Sequence, residues 1–576
     1  MSTGPTPDGT ARAATVHDTT VHDTTVHDTT VGDTTVHDTT VRGAVYALLR
    51  EFGLTTVFGN PGSTELPMFR DFPDDFRYVL GLQESVVVAM ADGFAQARGD
   101  AALINLHSAI GVGHALGSIF TAYKNQTPLV ITAGQQARSI LPFEPFLYSE
   151  QAAQLPKPYV KWSSEPARAA DVPAAIARAY YVAMQPPRGP TFVSIPVDDW
   201  DRPCSTLAAR EVSRSIAGDP TLLAQAAAAL RDARRPVIVV GASVARDDAW
   251  DETIALAEQQ QAAVWGSPMS ARNSFPERHH LFAGFLPADR AAIVSRLQGA
   301  DLILVLGAPV FTYHVEGQGP HIPDGAALIQ LTDDPGAAAW CPVGTSIVTN
   351  LKLGVAALLA ATSPLTSPLT SPLTSPLSAA PSPPPTPRAP PIIPPRAPPL
   401  APGTLSDRYL LQQIAALRPA DSIIVEEAPS SRGPVHDYLP MLERQSFHTC
   451  ASGGLGHGLP AAVGVSLARP GRKVIALLGD GSAMYSIQGL WSAAELQQPI
   501  AFIIVNNGSY RALEEFGRHF GIRALPGVHL PHLDFCALAA AQGVKGIRVE
   551  RCADLDDALR QVFTAGVPML LEVCVK

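Results

Sequence analysis

Short runs of apolar residues alternate with amphipathic segments in the first part of this chain. Between residues 41 and 205 the apolar runs are VFGN, RYVLG, AALINLH, PLVITAG and GPTFVSIP, and helical patterns lie between them at Glu84–Arg98 and 111–125. Buried strands that alternate with helices are typical of a parallel sheet with helices on its faces. The pattern therefore predicts one α/β domain over residues 41–205.

The same alternation returns twice. Residues 217–361 contain PVIVVGA, AAVWG, DLILVLGA and AALIQLT, and residues 404–576 contain DSIIVEE, KVIALLGDG, IAFIIVNN, KGIRV and PMLLEVCV. We predict an α/β fold of three doubly wound parallel-sheet domains in series. PVIVVGASVARDD has one glycine where a dinucleotide-binding turn needs three, so we interpret the middle domain as a structural spacer that does not bind NAD.

Two segments of low complexity interrupt these domains. Residues 16–40 repeat VHDTT with small changes, and four histidines recur there: His17, His22, His27 and His37. Metal binding is one interpretation of them, but we favour a disordered repeat tail over residues 1–40. Residues 362–403 are rich in proline, which lacks a backbone donor, and we predict an extended linker.

Composition excludes several classes of protein. Charged residues make up 16% of the 576 residues and hydrophobic residues 46%, and the net charge of −10 is spread along the chain. The chain has no basic stripe of the kind that binds nucleic acid or an anionic membrane. No segment reaches the ~20 apolar residues of a membrane helix. The six cysteines form no CxxC pair, so we expect reduced thiols and a cytoplasmic protein.

A cassette in the third domain carries the clearest chemistry. KVIALLGDGSAMYSIQGLWSAAELQQPIAFIIVNN predicts a strand, a helix over residues 486–497, and a second strand parallel to the first. Asp480 and Asn507 then meet at neighbouring strand ends, where their oxygens suit Mg²⁺ or Ca²⁺. The glycines around Asp480 let backbone N–H groups approach a diphosphate. The alternative for Asp480 is the cap of an ordinary turn.

Polar residues of the first two domains are candidates only in combination with this cassette. Glu84 opens a mostly apolar helix, where a glutamate is also favoured by the helix dipole. His107 ends a strand, at the sheet edge where α/β proteins bind ligands, but it could equally be a hydrogen-bonded surface histidine. Ser63 lies in a Gly-Pro turn and could simply cap a helix. His279 and His280 lie in PERHHLF, which could be a solvated turn.

Together these motifs resemble the benzoylformate decarboxylase family of thiamine-diphosphate enzymes. The similarity runs from about Val41 to the C-terminus, and its most specific stretches are FGNPGSTELPMFRDFPDDFRYVLGLQE, INLHSAIGVGHALGS, TAGQQAR, LPKPYVKWSSEPA, GAPVFTYH and ASGGLGHGLPAAVGV. The resemblance implies that residues 41–205 bind the pyrimidine of thiamine diphosphate and residues 404–576 its diphosphate and metal. It also implies a homodimer or homotetramer with the active site between subunits.

The resemblance also implies a role for each site residue. Glu84 bonds to the pyrimidine ring, Ser63 binds the substrate carboxylate, His107 protonates the substrate carbonyl oxygen, and His279 acts in later proton transfers, with His280 the weaker candidate. The other implied cofactor residues are Ser430, Gly453, Leu455, Gly479, Asp480, Gly481, Ser482 and Asn507. The implied metal ligands are Asp480, Asn507 and the carbonyl of Ser509. The implied aryl pocket consists of Phe146, Leu147, Ala512, Leu513 and Phe516.

The implied reaction is the non-oxidative decarboxylation of an aromatic 2-oxo acid, with benzoylformate giving benzaldehyde and carbon dioxide. This chain departs from the family pattern near the site at Pro429, Thr449, Arg511, Glu515 and Phe146. Three alternatives are therefore kept: a decarboxylase of another 2-oxo acid, an acetolactate-synthase-like carboligase, and a non-catalytic homologue that acts as a binding module.

Overall fold

The first domain is a parallel sheet with helices on both faces. The computed structural model describes residues 38–363 and 387–576. The strands of the first domain are β1 (Asp38–Thr40), β2 (Thr56–Gly59), β3 (Arg77–Leu80), β4 (Ala102–Leu106), β5 (Leu129–Gln135), β6 (Ser163–Ser164), β7 (Pro190–Pro196) and β8 (Pro203–Ser205). Its helices are α1 (Val41–Glu51), α2 (Glu84–Arg98), α3 (Ser108–Asn125) and α4 (Val172–Met184).

Strand alternation explains the two layers of helices. The six parallel strands have the order β3-β2-β4-β5-β7-β6, and β1 pairs with β8 separately. Successive side chains of a strand point to opposite faces. Val57 therefore packs in the core with α1 and α4, while Phe58 packs in the core with α2 and α3.

The middle domain has a second six-stranded parallel sheet, in the order β11-β10-β9-β12-β13-β14. Its strands are β9 (Pro236–Val240), β10 (Ala263–Gly266), β11 (Phe282–Phe285), β12 (Leu302–Leu306), β13 (Ala327–Thr332) and β14 (Thr345–Val348). Its helices are α5 (Pro220–Asp232), α6 (Ala242–Arg246), α7 (Trp250–Gln260), α8 (Arg290–Arg296), α9 (Pro335–Ala339) and α10 (Leu351–Thr362).

The third domain repeats the topology of the first, in the order β16-β15-β17-β18-β20-β19. Its strands are β15 (Ile423–Glu427), β16 (Phe447–Thr449), β17 (Val474–Gly479), β18 (Ile500–Asn506), β19 (Lys545–Val549) and β20 (Met569–Cys574). Its helices are α11 (Asp407–Leu417), α12 (Arg432–Tyr438), α13 (Gly458–Ala468), α14 (Asp480–Met484), α15 (Gly489–Glu495), α16 (Arg511–His519), α17 (Phe535–Ala541) and α18 (Cys552–Thr564). The predicted architecture of three parallel-sheet domains is confirmed.

Helices α2 and α13 join the first and third domains in one continuous core. Two glycines allow the close approach. A Cβ built on Gly93 would lie 2.2 Å from the carbonyl oxygen of Ala461, and one built on Gly464 would lie 1.8 Å from that of Met90. This contact fixes the helix that begins at Glu84 relative to the sheet that carries Asp480.

Some predicted boundaries were wrong. The helix predicted over 486–497 is shorter in the structure, where α15 covers Gly489–Glu495, and a separate short helix, α14, precedes it at Asp480–Met484. Asp38–Thr40, assigned to the disordered tail, form β1, and the rest of that tail lies outside the described residues, as do residues 364–386 of the predicted linker. Residues 387–403 have neither helix nor strand. Within the described ranges, no helix is both long and apolar enough to cross a membrane.

Candidate active site

Asp480 ties together the ends of two neighbouring strands. It follows β17 directly, and its Oδ1 accepts a hydrogen bond from Gly481 N at 2.7 Å. Its Oδ2 accepts from Asn507 N at 3.1 Å and from Gly508 N at 2.7 Å, just beyond β18. Burial raises the pKa of Asp480, although these N–H donors act in the opposite direction. The structure thus brings Asp480 and Asn507 together at one sheet edge.

The loop after β18 adds further oxygens at this edge. The amide oxygen of Asn507 accepts from Ser509 N at 3.0 Å and from Ser509 Oγ at 3.3 Å. Ser509 also pairs with His529 in an isolated antiparallel bridge, which holds the loop in place. Hydrogen bonds therefore connect the Asp480 carboxylate, the Asn507 residue and Ser509 along one loop.

Glycines leave room around this edge. A Cβ built on Gly481 would lie 2.3 Å from the ring of Tyr510, so a larger residue would not fit there. Gly453 and Gly508 have φ values of 71° and 68°, which favour glycine, and no atom lies within 4 Å of a Cβ built on either. Ser430 Oγ accepts from Ala512 N at 3.1 Å and so connects the end of β15 with α16.

A buried carboxylate holds the loop that contains Gly453 and Leu455. Glu427, the last residue of β15, accepts from Gly456 N at 2.6 Å through Oε1 and from His457 N at 2.7 Å through Oε2, and it also bonds to Gly458 N. Burial raises its pKa to about 7, although the three N–H donors act to lower it. Glu427 therefore determines where this loop lies.

Glu426, the residue before Glu427, contacts Thr449, which departs from the family pattern. Glu426 Oε2 accepts from Thr449 Oγ1 at 2.8 Å and lies 3.3 Å from an Nη atom of Arg432. The same Nη atom donates to Thr449 Oγ1 at 3.0 Å. Thr449 thus has a polar role in this chain, as part of a buried ion-pair network.

Glu84 is the first residue of α2. The side chain of Gln83 caps this helix by accepting from the backbone N–H groups of Ser85 and Val86. The Glu84 side chain is 10% exposed, and its Oε2 lies 3.1 Å from Nδ1 of His114 on α3. A Cβ built on Gly111 would lie 3.3 Å from Glu84 Oε1, so the carboxylate rests on a glycine of the neighbouring helix.

His107 is fixed by a buried glutamate that follows Ser63 by two residues. Its Nδ1 lies 2.8 Å from Glu65 Oε2. Glu65 also accepts from the N–H groups of Gly62 at 3.0 Å and Gly134 at 3.0 Å. A Cβ built on Gly62 would lie 1.9 Å from His107 Nδ1, so the imidazole packs directly on this glycine. Nε2 of His107 is the ring nitrogen left for other partners.

The structure keeps His279 within the middle domain. Its Nε2 lies 3.1 Å from Glu258 Oε1 on α7, and its Nδ1 accepts from Leu281 N at 3.2 Å. Its ring packs edge-on against Phe275 with centroids 5.1 Å apart, and the exposed His280 lies beside it. Apart from its neighbour His280, the described contacts of His279 include none of the other predicted site residues.

The predicted substrate residues fall into two groups. In the first domain Ser63 is exposed, Phe146 is 88% exposed, and Leu147 is half-buried with a φ of 71°. In the third domain Phe516 packs against His314 of the middle domain with ring centroids 4.8 Å apart, and Leu513 is 54% exposed. Within the described chain, no hydrogen bond, ion pair or aromatic contact joins the two groups.

Three family models of thiamine pyrophosphate enzymes match the chain. The N-terminal TPP binding domain matches residues 39–154, the central domain residues 223–358, and the C-terminal TPP binding domain residues 430–573. The chain belongs to the thiamine pyrophosphate enzymes. The prediction of thiamine diphosphate as the cofactor is thereby confirmed.

Individual thiamine pyrophosphate enzymes are similar over nearly the whole length. Benzoylformate decarboxylase of Pseudomonas aeruginosa is 46% identical over 534 residues, which are 92% of this chain and 98% of the relative. A 4-hydroxybenzoylformate decarboxylase structure from Rhodococcus jostii is 41% identical, with a TM-score of 0.85 and coverage of 93% and 99%. An acetolactate synthase large subunit of Haemophilus influenzae is 24% identical, with coverage of 90% and 91%.

The residues at the sheet edge fit the groups that a thiamine pyrophosphate enzyme binds. Asp480, Asn507 and Ser509 offer oxygen ligands, which a hard divalent cation prefers, and the cation would compensate the buried charge of Asp480. The open space beside Gly453 and Gly508 can admit the cofactor close to the backbone.

Sequence reasoning missed three polar residues of this site. Glu65 and Glu427 are buried carboxylates that hold other site elements, and His114 contacts Glu84. Glu427 could have been found, because a carboxylate at the carboxyl end of a buried parallel strand lies at the edge where ligands bind. Glu65 and His114 had no such signal, since only the folded chain brings them to His107 and Glu84.

Proposed function

We propose that this thiamine pyrophosphate enzyme decarboxylates an aromatic 2-oxo acid without oxidation, and that its substrate is benzoylformate, which yields benzaldehyde and carbon dioxide. The 46% identity to benzoylformate decarboxylase over 92% of the chain carries the proposal. The carboligase alternative has less support, because the acetolactate synthases are 24–26% identical. The presence of Glu84, His107, Asp480 and Asn507 together argues against a non-catalytic homologue, which would not need all four.

Each residue has a proposed task in this reaction. When bound, thiamine diphosphate supplies the carbon nucleophile and takes up the electrons of the bond that breaks as carbon dioxide leaves. Glu84 shares a proton with the pyrimidine ring. His107, whose Nδ1 is fixed by Glu65, exchanges a proton with the substrate carbonyl oxygen through Nε2. Ser63 binds the substrate carboxylate, and His279 transfers a proton before product release.

The remaining proposed residues bind cofactor, metal and aryl group. Mg²⁺ (or Ca²⁺) is bound by Asp480, Asn507 and the Ser509 carbonyl. The cofactor contacts Ser430, Gly453, Leu455, Gly479, Gly481 and Ser482. The aryl group lies among Phe146, Leu147, Ala512, Leu513 and Phe516. The assignments in the third domain are supported by the shared sheet edge and by the Ser430–Ala512 hydrogen bond.

We also propose that the active unit is a homodimer or homotetramer, with the site between the first domain of one subunit and the third domain of another. Exposed apolar side chains on both domains support this assembly, among them Ile110, Phe143, Phe146, Tyr485 and Leu513. The six cysteines are all free, which is usual in a reducing compartment, and we propose the cytoplasm.

A coupled alcohol dehydrogenase assay tests the substrate. The purified protein with thiamine diphosphate and Mg²⁺ is compared on benzoylformate, 4-hydroxybenzoylformate, pyruvate and a branched 2-oxo acid. We expect the aromatic acids to have the highest kcat/KM. A preference for pyruvate, acetolactate as the product, or no turnover of any substrate would refute the proposal.

Glu84→Gln tests the cofactor carboxylate. The amide keeps the size of the side chain but cannot exchange a proton in the same way, so we expect kcat to fall by about 10²-fold or more. The thermal midpoint should stay close to that of the wild type, because the helix cap is supplied by Gln83. Near-normal turnover would refute the role of Glu84.

A further inference from the structure

His114 approaches Glu84 from the solvent side. It lies on α3 seven residues after His107, and its Nδ1 is 3.1 Å from Glu84 Oε2. The Glu84 side chain is 10% exposed, whereas that of His114 is 56% exposed. One carboxylate oxygen is therefore bound by an imidazole at the rim of the site.

The other neighbours of Glu84 do not fix the orientation of its carboxylate. Gly111 provides a flat surface beneath the carboxylate but no hydrogen-bond donor from a side chain. Gln83 uses the free N–H groups at the start of α2, which a first-turn glutamate could otherwise have bound. Within residues 38–363 and 387–576, His114 is the one side chain that hydrogen-bonds to Glu84.

We propose that His114 is a positioning residue for Glu84. Its Nδ1–H donates to Oε2 and thereby directs Oε1 toward the pyrimidine nitrogen of bound thiamine diphosphate. Without this donor the side chain would populate several rotamers, and fewer molecules would have the carboxylate in the productive orientation. This inference rests on the role proposed above for Glu84.

Two substitutions separate a donor role from a packing role. Asparagine carries an N–H donor as many bonds from Cα as Nδ1 of histidine, so His114→Asn keeps the contact. His114→Leu keeps a side chain of similar bulk but removes the donor. Lys124→Leu is the matched control, because Lys124 is another exposed polar residue on α3 and lies ten positions away from His114.

The measurement is the exchange of the thiazolium C2 proton of bound thiamine diphosphate with solvent deuterium, followed by NMR in the holoenzyme without substrate. We expect exchange to be about tenfold slower in His114→Leu, because a hydrogen bond to a charged group is lost. His114→Asn should restore most of the rate, and Lys124→Leu should match the wild type. Binding of thiamine diphosphate and the thermal midpoint are measured on the same samples to confirm folding.

Glu84→Gln, measured in parallel, distinguishes the two possible failures. If Glu84→Gln exchanges slowly and His114→Leu exchanges at the wild-type rate, the inference about His114 is overturned and the role of Glu84 stands. Equal slowing in His114→Asn and His114→Leu would also overturn it, since the N–H donor would then not matter. If Glu84→Gln exchanges normally, the proposed role of Glu84 itself fails.

Discussion

A methyl group at residue 62 would displace the imidazole of His107, because a Cβ on Gly62 would lie 1.9 Å from Nδ1. We expect Gly62→Ala to lower kcat about 100-fold, since a misplacement of about 1 Å can cost this much. Steady-state kinetics on benzoylformate measure the effect. Gly566→Ala is the matched control, because a Cβ there would meet no atom within 4 Å. Wild-type kcat in Gly62→Ala would speak against a catalytic His107.

Glu427 makes stability depend on pH near neutrality. Burial raises the pKa of Glu427 from 4.5 to about 7. The stability that this raised pKa contributes is fully present below pH 4.5 and is lost as the pH rises through 7. The loss amounts to about 3 kcal/mol. We expect the free energy of unfolding to fall between pH 5 and 8, and to fall less in Glu427→Gln. Urea denaturation across this range measures both, and parallel pH profiles would contradict the prediction.

At the scale of secondary-structure elements, the contact of α2 with α13 depends on the absence of side chains at two glycines. A Cβ at residue 464 would lie 1.8 Å from the carbonyl oxygen of Met90, so the helices would have to separate. We expect Gly464→Ala to lower the free energy of unfolding by about 3 kcal/mol, measured by urea denaturation. Gly566→Ala again serves as the control, and equal stability of the two variants would disprove the close approach.

Most strands could be predicted, and those that were missed share a physical cause. Helix α2 was predicted with its observed bounds, because glutamate begins it and glycine follows it. The strands β1, β6, β8, β11, β14 and β16 were missed. They are two to four residues long and lie at or beside sheet edges, so they have too few alternating positions to form a pattern.

At the scale of the whole molecule, ligand binding should stabilise the folded state. In the proposed site, thiamine diphosphate and Mg²⁺ would bind at the folded edge formed by Asp480 and Asn507, and therefore to the native protein alone. At 100 times its Kd the pair should add about 2.7 kcal/mol to the free energy of unfolding. Differential scanning calorimetry should show a higher Tm, which EDTA reverses. Asp480→Asn should lose most of this shift, and an undiminished shift in that variant would exclude Asp480 as a ligand.

Contacts between the domains of a chain of this length could not be predicted from the sequence. Buried Arg272 of the middle domain donates to the side chain and backbone oxygens of Gln96 in the first domain and to Gln445 in the third, all at 3.0 Å. These residues are more than 170 positions apart, and no local pattern indicates their contact.

The sequence by itself determined the class of fold, the cofactor and the resemblance to benzoylformate decarboxylases. Those properties depend on local periodicity and on motifs such as GDG followed by Asn507, which can be recognised along the chain without its tertiary contacts. Tertiary structure decided which side chains hold the residues that we propose as catalytic. Glu65 at His107, His114 at Glu84 and Glu427 at the Gly456 loop come together only because separate segments end at the same sheet edge or pack as neighbouring helices.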